Sequence, residues 1–157
     1  MNFADALAAG PPAATHGGAI LLTNGSAQAA ATAQYLAAHA RTRYAVGGPA
    51  AAADPSAAAI SGADRYATAV AVAQRLVPSP SAVGVATGAG FADALTGGPS
   101  VANRAGPMLL TPPCGSVPAA LTGYLASVAS GVRTGTLFGG PAAVGDDVLA
   151  QLDSALG

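Results

Sequence analysis

Residues 85–111 read VATGAGFADALTGGPSVANRAGPMLLT: an apolar run, a glycine turn, a lone aspartate at the head of a helical stretch, then a second apolar run. A β-branched run leading through glycines into a helix is the local pattern of a βαβ unit. The same junction can cradle phosphate, because free N–H groups and the helix dipole converge there. Three features turn the reading away from a nucleotide site. Asp93 falls in the first helical turn, where a carboxylate occupies those donors, complements the dipole and repels phosphate. The glycine spacing is not G-x-G-x-x-G, and the chain has no lysine with which to build a P-loop. Asp93, and Asp5 at the matching earlier position, are therefore expected to cap their helices.

The stretch occurs twice. Residues 3–23, FADALAAGPPAATHGGAILLT, align with 91–111 without a gap at an offset of 88, with 12 identities in 21 positions. Further on, YAVGGPAA at 44–51 aligns with TLFGGPAA at 136–143 at an offset of 92, which places Arg41 on Arg133. A period of about 90 residues is too long for a solenoid repeat and suits a small α/β module in tandem. Only the second copy has a segment upstream of the motif, ISGADRYATAVAVAQRLVPSPSAVGVATGA at 60–89. The expected organisation is the C-terminal half of one module at 1–58 and a complete module at 59–157, joined through the Pro- and Ala-rich stretch at 49–58.

Within the complete module the pattern predicts a helix from Asp64 to about Leu76 and a buried strand at 82–87. A helix from Phe91 to about Ala105, interrupted near Pro99, and a strand at 107–111 follow. Helices from about Val117 to Val128 and from Val144 to Leu156 flank a strand at 135–138. Alternation of this kind gives an α/β fold: a three-layer module with a parallel sheet covered on both faces. The helix at 64–76 is apolar around most of its circumference, so module-to-module packing is expected. Its polar stripe holds Arg65, Thr68 and Arg75.

Composition narrows the chemistry. All six basic residues are Arg and all seven acidic residues are Asp, giving a net charge of -1. That supplies no general field for nucleic acid, so any anionic partner must meet locally placed arginines. No apolar run approaches the ~20 residues of a membrane span, and no secretion signal is visible in MNFADALAAGPP. The complete module contains no histidine, since His16 and His39 both lie in the first copy. Without one, Cys114 is expected to be an inert thiol. The adjacent Asp146 and Asp147 complement a helix N-terminus, and no metal site or cofactor is expected.

The ordered segments ISGADRYATAVAVAQ, ATGAGFADALTGGP, GPMLLT and LFGGPAAV resemble the type 2 cell wall binding repeat of Gram-positive bacterial surface proteins. The resemblance covers nearly the whole chain. It implies a Toprim-like fold without the Toprim glutamate and Asp-x-Asp pair, hence no catalysis. It further implies attachment to an anionic cell wall polysaccharide and packing against other copies of the module. Extracellular placement at the cell surface follows, as part of a larger secreted protein. The family's Ile-Leu-Leu segment carries over as Ile20, Leu21 and Leu22, and as Met108, Leu109 and Leu110, where methionine replaces isoleucine. Physically these are apolar residues of a central strand, and core is the simpler reading. The ADRYAT segment, with Asp64, Arg65, Tyr66 and Thr68, is the better candidate for direct contact, because Arg65 offers a fork for phosphate or carboxylate. A structural cap or ion pair accounts for the same residues.

Two functions remain open on the sequence: a non-catalytic binder of an acidic wall polymer, or a structural module that packs against surface-layer neighbours with no glycan ligand. A nucleotide-dependent enzyme would need phosphate bound between Gly88 and Phe91.

Overall fold

The computed structural model describes residues 3–157. The first copy contributes α1 (Ala4–Thr15), α2 (Ala30–Ala38), β1 (Tyr44–Val46) and α3 (Gly48–Ala53). After β2 (Ala58–Ile60), the second copy supplies α4 (Arg65–Leu76), β3 (Ala82–Thr87), α5 (Ala92–Ala102), β4 (Met108–Thr111), α6 (Ala119–Val128), β5 (Thr134–Phe138) and α7 (Asp146–Leu156).

The second copy is an α/β three-layer unit. Its sheet is parallel in the order β4-β3-β5, with Gly84 opposite Met108 and Thr136. Side chains alternate across a strand, and the core divides accordingly. Val83, Val85 and Leu109 join Val70, Leu121, Leu125, Val148 and Leu152 on the side of α6 and α7. Ala86, Met108 and Leu110 join Ala94 and Val101 of α5 on the other side. Small residues let α5 approach the sheet closely: a Cβ on Gly84 would stand 2.3 Å from Val101 Cγ2.

Ala4, Leu7 and Ala8 of α1 belong to this second core, alongside Ala69 of α4. Helix α4 is therefore buried on two sides, with Ala69 in one core and Val70 and Ala73 in the other. The first copy packs where the apolar circumference of that helix required a partner.

Several boundaries differ from expectation. Helix α5 runs unbroken through Pro99, as α1 runs through Pro11 and Pro12. Proline keeps a helical φ, but it gives no bond to the residue four back and its ring crowds that residue's carbonyl; for Pro99 that residue is Leu95, which is exposed to water. Helix α5 stops at Ala102 because Ala105 takes a positive φ of 50°. Helix α6 starts after Pro118 and α7 after Gly145, each two residues late. The connector is more ordered than its composition suggested, since α3 and the start of β2 lie inside it.

The larger correction concerns Ile20, Leu21 and Leu22. They form no strand and are 42%, 37% and 68% exposed, against 0% for Met108, Leu109 and Leu110. The physical reason is a missing neighbour. Among the described residues strand β4 is an edge strand paired with β3 alone, and residues 3–58 hold no counterpart of β3. An apolar segment with nothing to pair with stays in irregular backbone.

Candidate functional site

The ADRYAT residues gather at the seam between the copies. Asp64 is the N-cap of α4 and accepts a 2.8 Å hydrogen bond from the Ala67 amide, the bond expected of aspartate there. Arg65 then points back along the module and donates through a guanidinium N–H to the carbonyl of Gly88, at the end of β3. Tyr66 lies beside the same glycine, where an added Cβ would be 2.8 Å from its ring. Thr68 is buried, and its hydroxyl accepts from the Gly62 amide at 3.0 Å.

Asp5, from the first copy, faces this group across the seam. Burial raises its carboxyl above the usual 3.8, while the positive charge of Arg65 and a hydrogen bond from Thr68 pull the other way. Charge from one copy thus meets charge from the other in a partly desolvated joint.

The glycine turn leaves little for a phosphate. The Gly88 amide donates to the Thr111 carbonyl at 2.8 Å, and the Ala89 amide donates to Thr87 Oγ1 at 3.2 Å. Arg65 and Tyr66 occupy the space beside it.

The capping expectation needs correcting in detail. The N-cap positions of α1 and α5 are Phe3 and Phe91, and neither helix has a side-chain cap bond. Asp5 and Asp93 sit two residues further in, where they complement the dipole by charge. Their carboxylates instead rest on glycines of the duplicated GGP turn. A Cβ on Gly47 would stand 2.2 Å from Asp5 Oδ2, and one on Gly139 would stand 2.8 Å from Asp93 Oδ2. Both glycines have positive φ, 91° and 109°, a backbone region that side chains other than glycine rarely adopt. Aspartate and glycine turn are thus one device, built once in each copy. The signal was present in the sequence as two duplicated motifs, but nothing in either motif alone showed that they touch.

The duplicated phenylalanines were also missed. Phe3 and Phe91 meet edge to face with ring centroids 5.2 Å apart, a favourable aromatic geometry. Phe91 is 54% exposed and Leu95 61%, so an apolar patch borders the seam.

Of the sequence-derived candidates, the structure brings together Asp5, Asp64, Arg65, Tyr66 and Thr68. It places Asp93 on its own module's turn, Met108–Leu110 inside the core, and Ile20–Leu22 on the surface. Asp147 and Gln151 clamp the loop that carries the exposed Cys114, by accepting from the amides of Gly115 at 2.7 Å and Val117 at 3.0 Å. Among the described residues no group of three or more His, Cys, Asp or Glu could hold a metal ion. No helix among them is long and apolar enough to cross a membrane.

Comparison with solved structures shows the same fold. Cwp6 from Clostridium difficile superposes with a TM-score of 0.82 at 22% identity, over 98% of this chain and 26% of that one. Cwp8 from Clostridium difficile gives 0.78 at 22% identity, over 98% and 27%. The chain spans about a quarter of the length of these proteins. No curated protein matches it in sequence. The family described as Cell wall binding domain 2 (CWB2) matches residues 1–56 and again 59–149. The chain belongs to that family of cell wall binding domains.

Proposed function

We propose that this chain is a non-catalytic module that holds a secreted protein on the cell surface by binding an anionic polymer of the wall. The observation that carries the reading is the family match in both copies, joined by a seam that gathers hydrogen-bonding groups suited to an acidic glycan. Arg65 spends a donor on Gly88 and keeps others for phosphate or carboxylate. Asp64 accepts from sugar hydroxyls, and Tyr66 offers a ring edge. Met108, Leu109 and Leu110 serve binding only by keeping the module folded.

Co-sedimentation with isolated cell walls tests the proposal. The chain is expected to pellet with intact walls and to remain in solution when the anionic polymer has been extracted. Equal retention on extracted walls would overturn it.

A second reading, a module that packs against other modules without a glycan ligand, draws on the exposed Phe3, Phe91 and Leu95. Light scattering separates the two: concentration-dependent association with no wall retention favours packing alone.

A further inference from the structure

The turn that follows Ile20–Thr23 carries the one Asn-Gly pair of the sequence. Residues 24–27 close tightly: the Asn24 amide donates to the Ala27 carbonyl at 2.9 Å, and the Ala27 amide donates to the Asn24 carbonyl at 3.2 Å. Gly25 takes the first central position with a φ of 59°, which glycine adopts without strain. Asn24, Gly25 and Ser26 are exposed, and a Cβ built on Gly25 would meet nothing within 4 Å. Among the described residues the Gly25 amide donates to no group. An asparagine carboxamide thus stands next to an unshielded backbone nitrogen with room to close onto it.

The second copy has the same turn position without this chemistry. The residues aligned with Asn24 and Gly25 are Pro112 and Pro113, which offer no carboxamide and no N–H. Cys114 and Gly115 of that turn are exposed although β4, which leads into it, is paired with β3. Exposure at this position therefore does not depend on whether the preceding segment is paired. Asn103 supplies an internal contrast. It is exposed as well, but the next amide, that of Arg104, donates to the Val101 carbonyl at 3.0 Å.

We propose that Asn24 is a self-modification site, which converts without an enzyme to aspartate and isoaspartate through a cyclic imide formed with Gly25. The Gly25 nitrogen loses its proton to solvent base and attacks Asn24 Cγ. The N–Cγ bond forms, the Cγ–Nδ2 bond breaks, and Nδ2 leaves as ammonia with a proton from solvent. Water then opens the ring. Attack at Cγ restores the original backbone with an aspartate, and attack at the main-chain carbonyl routes the chain through Cγ as isoaspartate. Both products place a new carboxylate beside Thr23. Isoaspartate also adds a methylene to the backbone of the turn, which breaks the reciprocal bonds between Asn24 and Ala27. The first copy thus gains charge with age at a turn whose counterpart in the second copy cannot. The proposal needs no glycan and stands apart from that reading.

The test ages the full chain at neutral pH in water enriched in heavy oxygen. Residues 24 and 103 are then followed by mass spectrometry, with fragmentation that distinguishes isoaspartate from aspartate. Heavy oxygen is expected to enter at residue 24, with isoaspartate among the products and a rate that rises with pH as the nitrogen nucleophile forms. Entry at residue 103 is expected to be slower by about tenfold or more, since the Arg104 amide must first give up its hydrogen bond. Asn24→Ser, at an exposed turn position, is expected to keep the native circular dichroism and to take up no label there. Absence of label at residue 24 in the native sequence would overturn the proposal. So would aspartate without isoaspartate, the signature of direct hydrolysis, or equal rates at the two asparagines.

Discussion

Leucine-to-alanine changes at matched positions of the two copies separate burial from motif identity. Leu21 and Leu109 occupy the same place in the duplicated segment, yet Leu109 is 0% exposed between the sheet and the α6–α7 layer and Leu21 is 37% exposed in irregular backbone. Leu109→Ala removes three buried carbons, about 2.4 kcal/mol of transfer free energy at about 0.8 kcal/mol each. The cavity left among Val85, Leu121 and Leu125 adds to that, and the total falls within about 2–5 kcal/mol. For a chain of this size the midpoint of thermal unfolding moves by about 2–4 °C per kcal/mol. A drop on the order of 10 °C is therefore expected for Leu109→Ala, and about 2 °C or less for Leu21→Ala. Circular dichroism during heating and in urea measures both. Equal losses for the two variants would refute the reasoning, because the first segment would then have to be packed in solution. Wall retention of Leu109→Ala is expected to track its folded fraction and to recover on cooling.

Other positions give sharper local tests. Asp64→Ala removes the α4 cap and is expected to cost about 1 kcal/mol in urea unfolding. Gly139→Ala forces a side chain into positive φ against the Asp93 carboxylate, so a loss of about 1–3 kcal/mol is expected by the same assay. For Asp5 the sign follows from its raised folded value. The unfolded chain ionises at lower pH than the folded one, so ionisation works against folding above 3.8. Asp5→Asn is then expected to be more stable than the native chain at neutral pH, with the gain shrinking as pH falls through the raised value. A gain that grows on acidification, in urea titrations across that range, would reverse the assignment.

What could be read without coordinates depended on whether a segment carries its own context. The strand at 82–87 is a continuous apolar run bounded by Pro80 and Gly88, and residues 82–87 are all buried. The helix at 64–76 declared its start through Asp64 and its double burial through its apolar circumference. The segment at 20–22 has nearly the same letters as 108–110 and a different fate, because a strand is stabilised by its neighbour and that neighbour lies outside the local sequence. Pro99 misled for the opposite reason: the local cost of a proline inside a helix is offset by packing that the segment does not show, since Ala94, Gly97, Gly98 and Val101 of the same helix are buried. At the seam, the motif residues were visible, but their roles were not. For Arg65 the sequence left a glycan contact and a structural tie both open, and the side chain is bonded to Gly88; Asp5 and Asp93 looked like caps and rest on glycines 42 or 46 residues away.

Affinity for purified wall polymer, measured by titration calorimetry at increasing sodium chloride, tests the binding function most directly. Arginine contacts to exposed anions are screened as the Debye length shrinks from about 10 Å at 0.1 M to about 3 Å at 1 M. Binding is expected to weaken steadily over that range, and to be absent for the same polymer stripped of its acidic groups. Affinity that ignores salt, or that survives removal of those groups, would contradict it.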